Sequence, residues 1–468
     1  MKVAFSVQTP SALRNFESVV RLLGERGHET RLVLHSARSA HGTDALLERL
    51  LTEVPGLTLE YLEHDTQRGR LGFGADVRAS LDLLHFLDDH FTETYRERSF
   101  RRAPRLMQRF ARSRLARVRF VRALLGLALK AVDRALPVAA AVRRDLASLD
   151  ADVLLLTPYL GLRTIQPEYL RAARTLGLPA AVCVASWDNL TSKSLIRPIP
   201  DRVFVWNETQ RQEAVALHGV PPESIVVTGA QNFDQWLAWR ESPRDEFCAR
   251  LGFDPGRPIV LYVCFTPFVC AANQDEAAFV RRWLATLRAH PDLVEANVIV
   301  RPHPKRLEPW ESVELDDDRA VVWPRQAQLP TDESSKSDYF DSIFHSAAVV
   351  GLNSTAMVEA GLLRRPVLTV LAPEFWESQE GTLHFRYLLE AGGGLLRVSR
   401  SLDEHVAQLA EAVRGEDAEA SARSARFVEA FVRPHGADEP ATPRFVDAIE
   451  ALAGELSGPV EGLPLRPT

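Results

Sequence analysis

The chain of 468 residues has only four cysteines, Cys183, Cys248, Cys264 and Cys270, with no CxxC pair and no histidine at zinc spacing. That scarcity excludes a disulfide framework and a structural zinc site, and it suits buried thiols acting as small apolar side chains. Long apolar runs are also missing. The nearest, VRALLGLALKAVDRALPVAAAV, is interrupted by Arg122, Lys130, Asp133, Arg134 and Pro137, short of the roughly 18 unbroken apolar residues a membrane-crossing helix needs. The start, MKVAFSVQTP, lacks a charged leader with an apolar core and reads as a first strand, so a cytoplasmic location is expected. Neither charge sign dominates. With 56 basic and 62 acidic residues the net charge is −6, which gives no reason to expect nucleic acid as a partner. No GxxxxGK[ST] loop, no GxGxxG after the first strand and no HExxH occur, so P-loop, dinucleotide and zincin chemistries have no sequence support.

What is present is alternation. Short apolar runs (KVAFSV, ETRLVLH, LTLEYL, DVLLLTP, AAVCVAS, DRVFVWN, SIVVTG) are separated by helical periodicity and followed by Gly, Pro, Ser or Asn turns, the pattern of a parallel sheet with helices on both faces. A second series (PIVLYVCF, NVIVRPHP, RAVVWP, AAVVGL, PVLTVLAP, GLLRVS) follows a polar helical stretch. The length exceeds what one core usually supports. The reading is therefore an α/β protein of two doubly wound domains: residues 1–240 with a helical insertion at about 73–149, residues 241–435, and a crossover helix and tail at 436–468. The insertion is locally basic. From Arg96 to Arg122 eleven arginines face one acid, Glu97, which suits either a solvated helical face or peripheral contact with an anionic membrane or a phosphate-bearing acceptor.

Three turns carry candidate chemistry. In AAVVGLNSTAMVEAGLLRRPV, an apolar strand stops at Asn353, Ser354 and Thr355, where a helix begins; its first-turn amides and positive dipole end suit a diphosphate. Glu359, one turn on, is placed to accept from a ribose. NVIVRPHPKR ends a strand with Arg301 and His303 stiffened by prolines, a fork for phosphate oxygens and a donor or acid for a leaving phosphate. SWDNLTSK, after AAVCVAS, gathers Trp187, Asp188, Asn189 and Lys193 at a strand's C-terminal end, the edge that faces ligands in open α/β sheets. Asp188 is the candidate general base and Trp187 a candidate sugar-stacking ring. Thr9, Tyr159 and Thr266 follow other strands and line the same kind of edge. The acidic triplets DAD (Asp150–Asp152) and DDD (Asp316–Asp318) read as solvated turns, so no metal is expected.

The order RPHP, then DYFDSIFHSAAVVGLNSTAMVEAGLLRRPV, resembles the nucleotide-binding half of two-domain GT-B glycosyltransferases, most closely bacterial capsule and teichoic-acid type surface-polysaccharide transferases such as CDP-glycerol glycerophosphotransferases and Kdo transferases. IVVTGAQNFDQW is similar to the segment closing their first domain, and Thr382, His384 and Phe385 in EGTLHFRYLLEAGG resemble a loop of that branch. The likeness spans roughly 201–400; earlier it rests on strand order and SWDNLTSK. It implies a GT-B fold of two Rossmann-like domains facing a central cleft, and metal-independent transfer of a sugar or polyol phosphate. The donor, a nucleotide-activated substrate and not a cofactor, would bind through Arg301, His303, Asn353, Ser354, Thr355, Glu359 and Thr266. A glycan or lipid-linked acceptor of cell-envelope polysaccharide biosynthesis would bind near Trp187, Asn189, Lys193, Thr9, Tyr159 and His384, with Asp188 and His303 catalytic. Sugar-nucleotide 2-epimerases or hydrolases share the fold and give a second expectation. Against it, the phosphate turn carries Asn-Ser-Thr where they have a Gly-rich acidic turn. A non-catalytic nucleotide-sugar-binding member is a third.

Overall fold

The computed structural model describes residues 1–35, 43–159, 163–265, 275–305, 308–326 and 329–455. Every apolar run read as a strand is one, and the chain divides into two compact units. Met1–Asp88, Arg98–Asp234 and Glu439–Thr468 form the first; Asp89–Glu97 and Gln235–Asp438 form the second.

In the first unit β1 (Lys2–Val7), β2 (Glu29–Leu34), β3 (Leu57–Tyr61), β4 (Val153–Thr157), β5 (Ala180–Cys183), β6 (Arg202–Val205) and β7 (Ile225–Val227) make one parallel sheet in the order β3-β2-β1-β4-β5-β6-β7. The central strands are largely apolar because helices cover both faces, whereas β3 at the end of the sheet is mostly exposed or half-buried. Val3, Phe5 and Val7 pack on one side with Phe16, Val20 and Leu23, while Ala4 packs on the other with Leu154, Leu156 and Tyr169. The order reverses between β1 and β4, which makes their C-terminal ends the switch point of this sheet. The last helix, Ala441–Gly454, belongs here too. Asp234 caps it by accepting from the amides of Ala441 (3.1 Å) and Thr442 (2.7 Å), and Phe445 meets the rings of Phe16 and Phe204 edge-on.

Most of the helical insertion also lies in this unit, Asp89–Glu97 belonging to the second, and it contains no strand. Its members include Gly69–Phe86, Arg105–Arg112, Arg119–Ala135 and Ala140–Ser148. A satellite core of Leu83, Ala103 and Met107, with Leu125 and Leu129 against it, holds the first three together.

In the second unit β8 (Ile259–Val263), β9 (Asn297–Arg301), β10 (Ala320–Val322), β11 (Ala348–Gly351), β12 (Val367–Val370) and β13 (Arg397–Ser399) form a parallel sheet in the order β10-β9-β8-β11-β12-β13. Its switch point falls between β8 and β11. The register sets Val263 of β8 beside both Arg301 of β9 and Gly351 of β11, so the RPHP and NST turns leave one sheet edge from strands that flank β8. No helix among the described residues is long and apolar enough to cross a membrane.

Candidate functional site

On the second unit's edge, the turn after β11 is built as a helix start. Ser354 is extended (φ −147°, ψ 146°) and its hydroxyl accepts from the Ala356 amide, so the amides opening Thr355–Leu362 point away from the body of the helix. Gly351 is there for closeness: a Cβ on it would lie 2.8 Å from the Val263 side chain and 3.0 Å from the Met357 sulfur. Asn353 is buried, and its amide nitrogen donates to the Ser378 carbonyl and approaches His384 Nε2 (3.3 Å). Its work is therefore to pin the turn from beneath. Gln379, also buried, completes that floor by donating to the Leu352 and Val370 carbonyls.

Glu359 is partly exposed and held on both oxygens. Trp236 Nε1 donates to one (3.2 Å) and the Tyr339 hydroxyl to the other. A carboxylate has about four lone-pair sites, so capacity remains for a diol. His303 is partly exposed on the β9 turn, and its Nδ1 accepts from the Lys305 amide (3.1 Å).

Arg301 corrects the sequence expectation. It is 8% exposed, its Nη1 donates to Asp338 (3.0 Å) and Ser342 (2.9 Å), and the guanidinium lies over the Tyr339 ring. A buried guanidinium needs a compensating anion, and Asp338 supplies it from the Glu333–Phe344 helix, so Arg301 braces the β9 turn and is not an open phosphate fork. His384 is likewise displaced from the acceptor group assigned to it. It is buried in the second unit against Asn353 and belongs to the floor of the phosphate turn. Thr266 lies outside the described residues. Glu276 was not foreseen: buried at the start of Glu276–Arg288, it accepts from Tyr262 Oη and the Phe265 amide, fixing the end of β8.

On the first unit's edge the turn after β5 presents Asp188. Its oxygens accept from the hydroxyls of Ser186 (2.6 Å) and Ser192 (2.8 Å) and from the Asn189 amide (3.3 Å), a cradle made by the short helix Asn189–Ser192. Three donors to the carboxylate hold it in one orientation. Asn189 itself is buried and accepts from the Ala185 amide. The helix Glu208–His218 underlies the loop, where His218 bonds both the Ile196 amide and the Leu190 carbonyl. The insertion braces the loop's far end: Asp82 accepts from the Leu195 amide (3.0 Å) and Arg98 donates to the Ser192 carbonyl. The Lys193 ammonium is pushed down by burial, against the pull of Asp188, with Arg98 and Arg102 pushing the same way as burial. Glu213, buried on Glu208–His218, has its carboxyl held well above the usual range by burial and by the Asp188 charge. Two carboxyls in unlike settings thus share one neighbourhood. Glu213 sits in WNETQRQEA, at helical spacing from Gln210, and only the facing loop gives that position meaning.

Trp187 and Tyr159 are corrected as well. Trp187 is 3% exposed, with no open ring face for a sugar, and the Tyr159 hydroxyl is spent inside the fold on the Arg197 and Pro198 carbonyls. Burial pushes the Tyr159 phenol up. Thr9, at the β1 end, bonds Ser11 (2.9 Å) and precedes the turn Pro10–Leu13 without capping it by its side chain. The acidic triplets are engaged internally, Asp150 by Lys2 and Asp317 by Arg288.

Two parallel-stranded units of this topology match known structures along nearly their whole length. The UDP-GlcNAc 2-epimerase of Neisseria meningitidis, bound to UDP-GlcNAc, superimposes with a TM-score of 0.55 at 12% identity, covering 96% of this chain and 100% of that one. The chain has the GT-B fold. Other GT-B matches are the UDP-GlcNAc 2-epimerase of Methanocaldococcus jannaschii (TM-score 0.55, 11% identity, 96% and 100% covered) and a glycosyltransferase of Rickettsia africae (TM-score 0.53, 8% identity, 96% and 98% covered). No family model matches the sequence, nor does any curated protein.

Proposed function

We propose that this GT-B protein is an enzyme acting on a nucleotide-activated sugar. The observation that carries the chemistry is the Asp188 cradle, an oriented carboxylate at a ligand-facing sheet edge. The donor would place its diphosphate at the amides opening Thr355–Leu362, its ribose against Glu359, and a phosphate oxygen near His303. In the transfer reading, Asp188 takes the proton of an acceptor hydroxyl as that oxygen bonds to the transferred group. The bond to the nucleotide breaks, and the helix terminus and His303 stabilise the charge that leaves. A polyol phosphate donor would meet the same groups, and the acceptor would be a glycan or lipid-linked saccharide of the cell envelope.

The second reading, 2-epimerisation of a nucleotide sugar, has equal claim. The fold match to two epimerases supports it, and so does the nearness of Asp188 to Glu213, whose carboxyl is held above the usual range, since epimerisation removes a proton from one face of a carbon and returns one to the other.

Thermal stabilisation against UDP-, GDP-, CDP- and dTDP-linked sugars, CMP-Kdo and CDP-glycerol identifies the donor class, with His303→Ala as control. Incubation of that donor in D2O without acceptor then separates the readings. Deuterium at C2 of recovered donor means epimerisation; no exchange, with nucleotide released only when acceptor is added, means transfer. No donor shifting the folded protein would remove the proposal.

A further inference from the structure

The helix Arg119–Ala135 wears its apolar stripe outward. Phe120, Leu124 and Leu127 are 74%, 59% and 63% exposed, and Ala123, Ala128 and Ala131 fill the same face at three- and four-residue spacing. The opposite side is also satisfied: Leu125 and Leu129 pack on the satellite core, and Asp133 is buried in ion pairs with Arg78 and Arg171. The helix is thus apolar on two sides, and only one side is covered. Leu106 and Leu115 extend the exposed apolar surface, at 77% and 59%.

Around it the charge has one sign. From Arg98 to Val132 there are ten arginines and one lysine, and no Asp or Glu. Arg98 and Arg122 turn inward, onto the Ser192 and Leu87 carbonyls, but Arg105, Arg109, Arg114, Arg117 and Arg119 are exposed. The whole protein carries a net −6, so this patch is a local feature.

We propose that this face docks on an anionic lipid bilayer, the Arg119–Ala135 helix lying in the plane of the interface. Phe120, Leu124 and Leu127 enter the acyl boundary and the flanking arginines engage lipid phosphates. The helix has 17 residues, and its stripe from Phe120 to Ala131 is about 17 Å long, suited to lying along a surface rather than crossing it. Arginine stems can cover apolar surface while their heads reach phosphate. A second copy of the chain is a poorer occupant, because it would set two acid-free arginine clusters against each other. Nucleic acid would leave the apolar stripe unused.

The test is co-sedimentation of the full chain with phosphatidylcholine vesicles, with and without about 30% phosphatidylglycerol, at low and high salt. The expected result is binding to the anionic vesicles alone, weakened by salt. Phe120→Ser/Leu124→Ser/Leu127→Ser should lower binding at least tenfold, and each of Arg105→Gln and Arg109→Gln about fivefold, with thermal midpoints unchanged. Independently of any variant, anionic vesicles should protect residues 106–132 of the unmodified protein from proteolysis. The proposal is overturned if the unmodified protein ignores anionic vesicles, if the triple variant binds them equally, or if the same variants abolish a concentration-dependent dimer in lipid-free protein that does not bind vesicles.

Discussion

Asp188 and Glu213 are chemically similar side chains in opposite settings. Asp188 has three donors from Ser186, Asn189 and Ser192, whereas Glu213 is buried and feels the Asp188 charge. Asp188→Asn keeps the shape but cannot take a proton; turnover should fall about 10²- to 10⁴-fold while the thermal midpoint stays near that of the parent, read by activity and melting on one preparation. For Glu213 the folded pKa lies above the unfolded one. Its neutral form is thus compatible with the fold at acidic pH, and stability is lost as pH rises above about 4.5 towards the folded value. Glu213→Gln, which imitates the neutral acid, should be more stable than the parent at pH 8, and the gap should close towards pH 4. A denaturant titration at both pH values checks this, and an unchanged gap would mean Glu213 does not titrate in this way. His405 offers a simpler case. It is fully buried beside Trp283, and neither ring nitrogen has a hydrogen-bond partner among the described residues. His405→Leu removes two orphaned polar atoms and should raise stability at pH 7 by about 1 kcal/mol, measured by urea unfolding.

At the level of elements, the phosphate turn depends on how closely β11 approaches β8. Gly351→Ala puts a methyl group 2.8 Å from Val263 and 3.0 Å from Met357, and Met357 lies in the helix that the turn begins. Overpacking of this kind costs about 1–3 kcal/mol. Because it tilts the helix start, Gly351→Ala should weaken nucleotide binding by more than its loss of stability explains, as calorimetry on the folded variant would show. A loss of stability with unchanged affinity would remove the helix terminus from the donor site. The first unit makes a matching use of its insertion. Asp82 and Arg98 reach from helical segments onto the loop that carries Asp188. The insertion's inner side therefore has a positioning task, while its outer stripe is left for a surface.

Across the whole molecule, acid is the exposure. Burial holds His35 and His218 down to about 4 and His405 to about 3, so all three stay neutral in the folded protein at pH 5 while the unfolded chain protonates them. Their folded pKa values are depressed, so stability falls as pH drops below about 6.5, by roughly 2 kcal/mol per histidine at pH 5. Asp82, pushed up to about 6 by burial, works in the opposite sense by about 1 kcal/mol, as does Glu213, and the three histidines together prevail. Urea midpoints should be lower at pH 5 than at pH 7, with the difference reduced in His405→Leu. The thirteen strands among the described residues were legible in the sequence, because a strand covered on both faces is largely apolar and turn residues must follow it. The helix start at Ser354 was legible for a similar local reason. The fate of Arg301, Trp187, Tyr159 and His384 was not, because each depends on a partner brought in by packing: Asp338 on another helix, the surroundings that bury an indole, the Arg197 carbonyl, Asn353 across a loop. The outward stripe of Arg119–Ala135 belongs to the same class. Periodicity identified the helix by itself, but an amphipathic period does not say which face turns inward, and here the packing of Leu125 and Leu129 decided it.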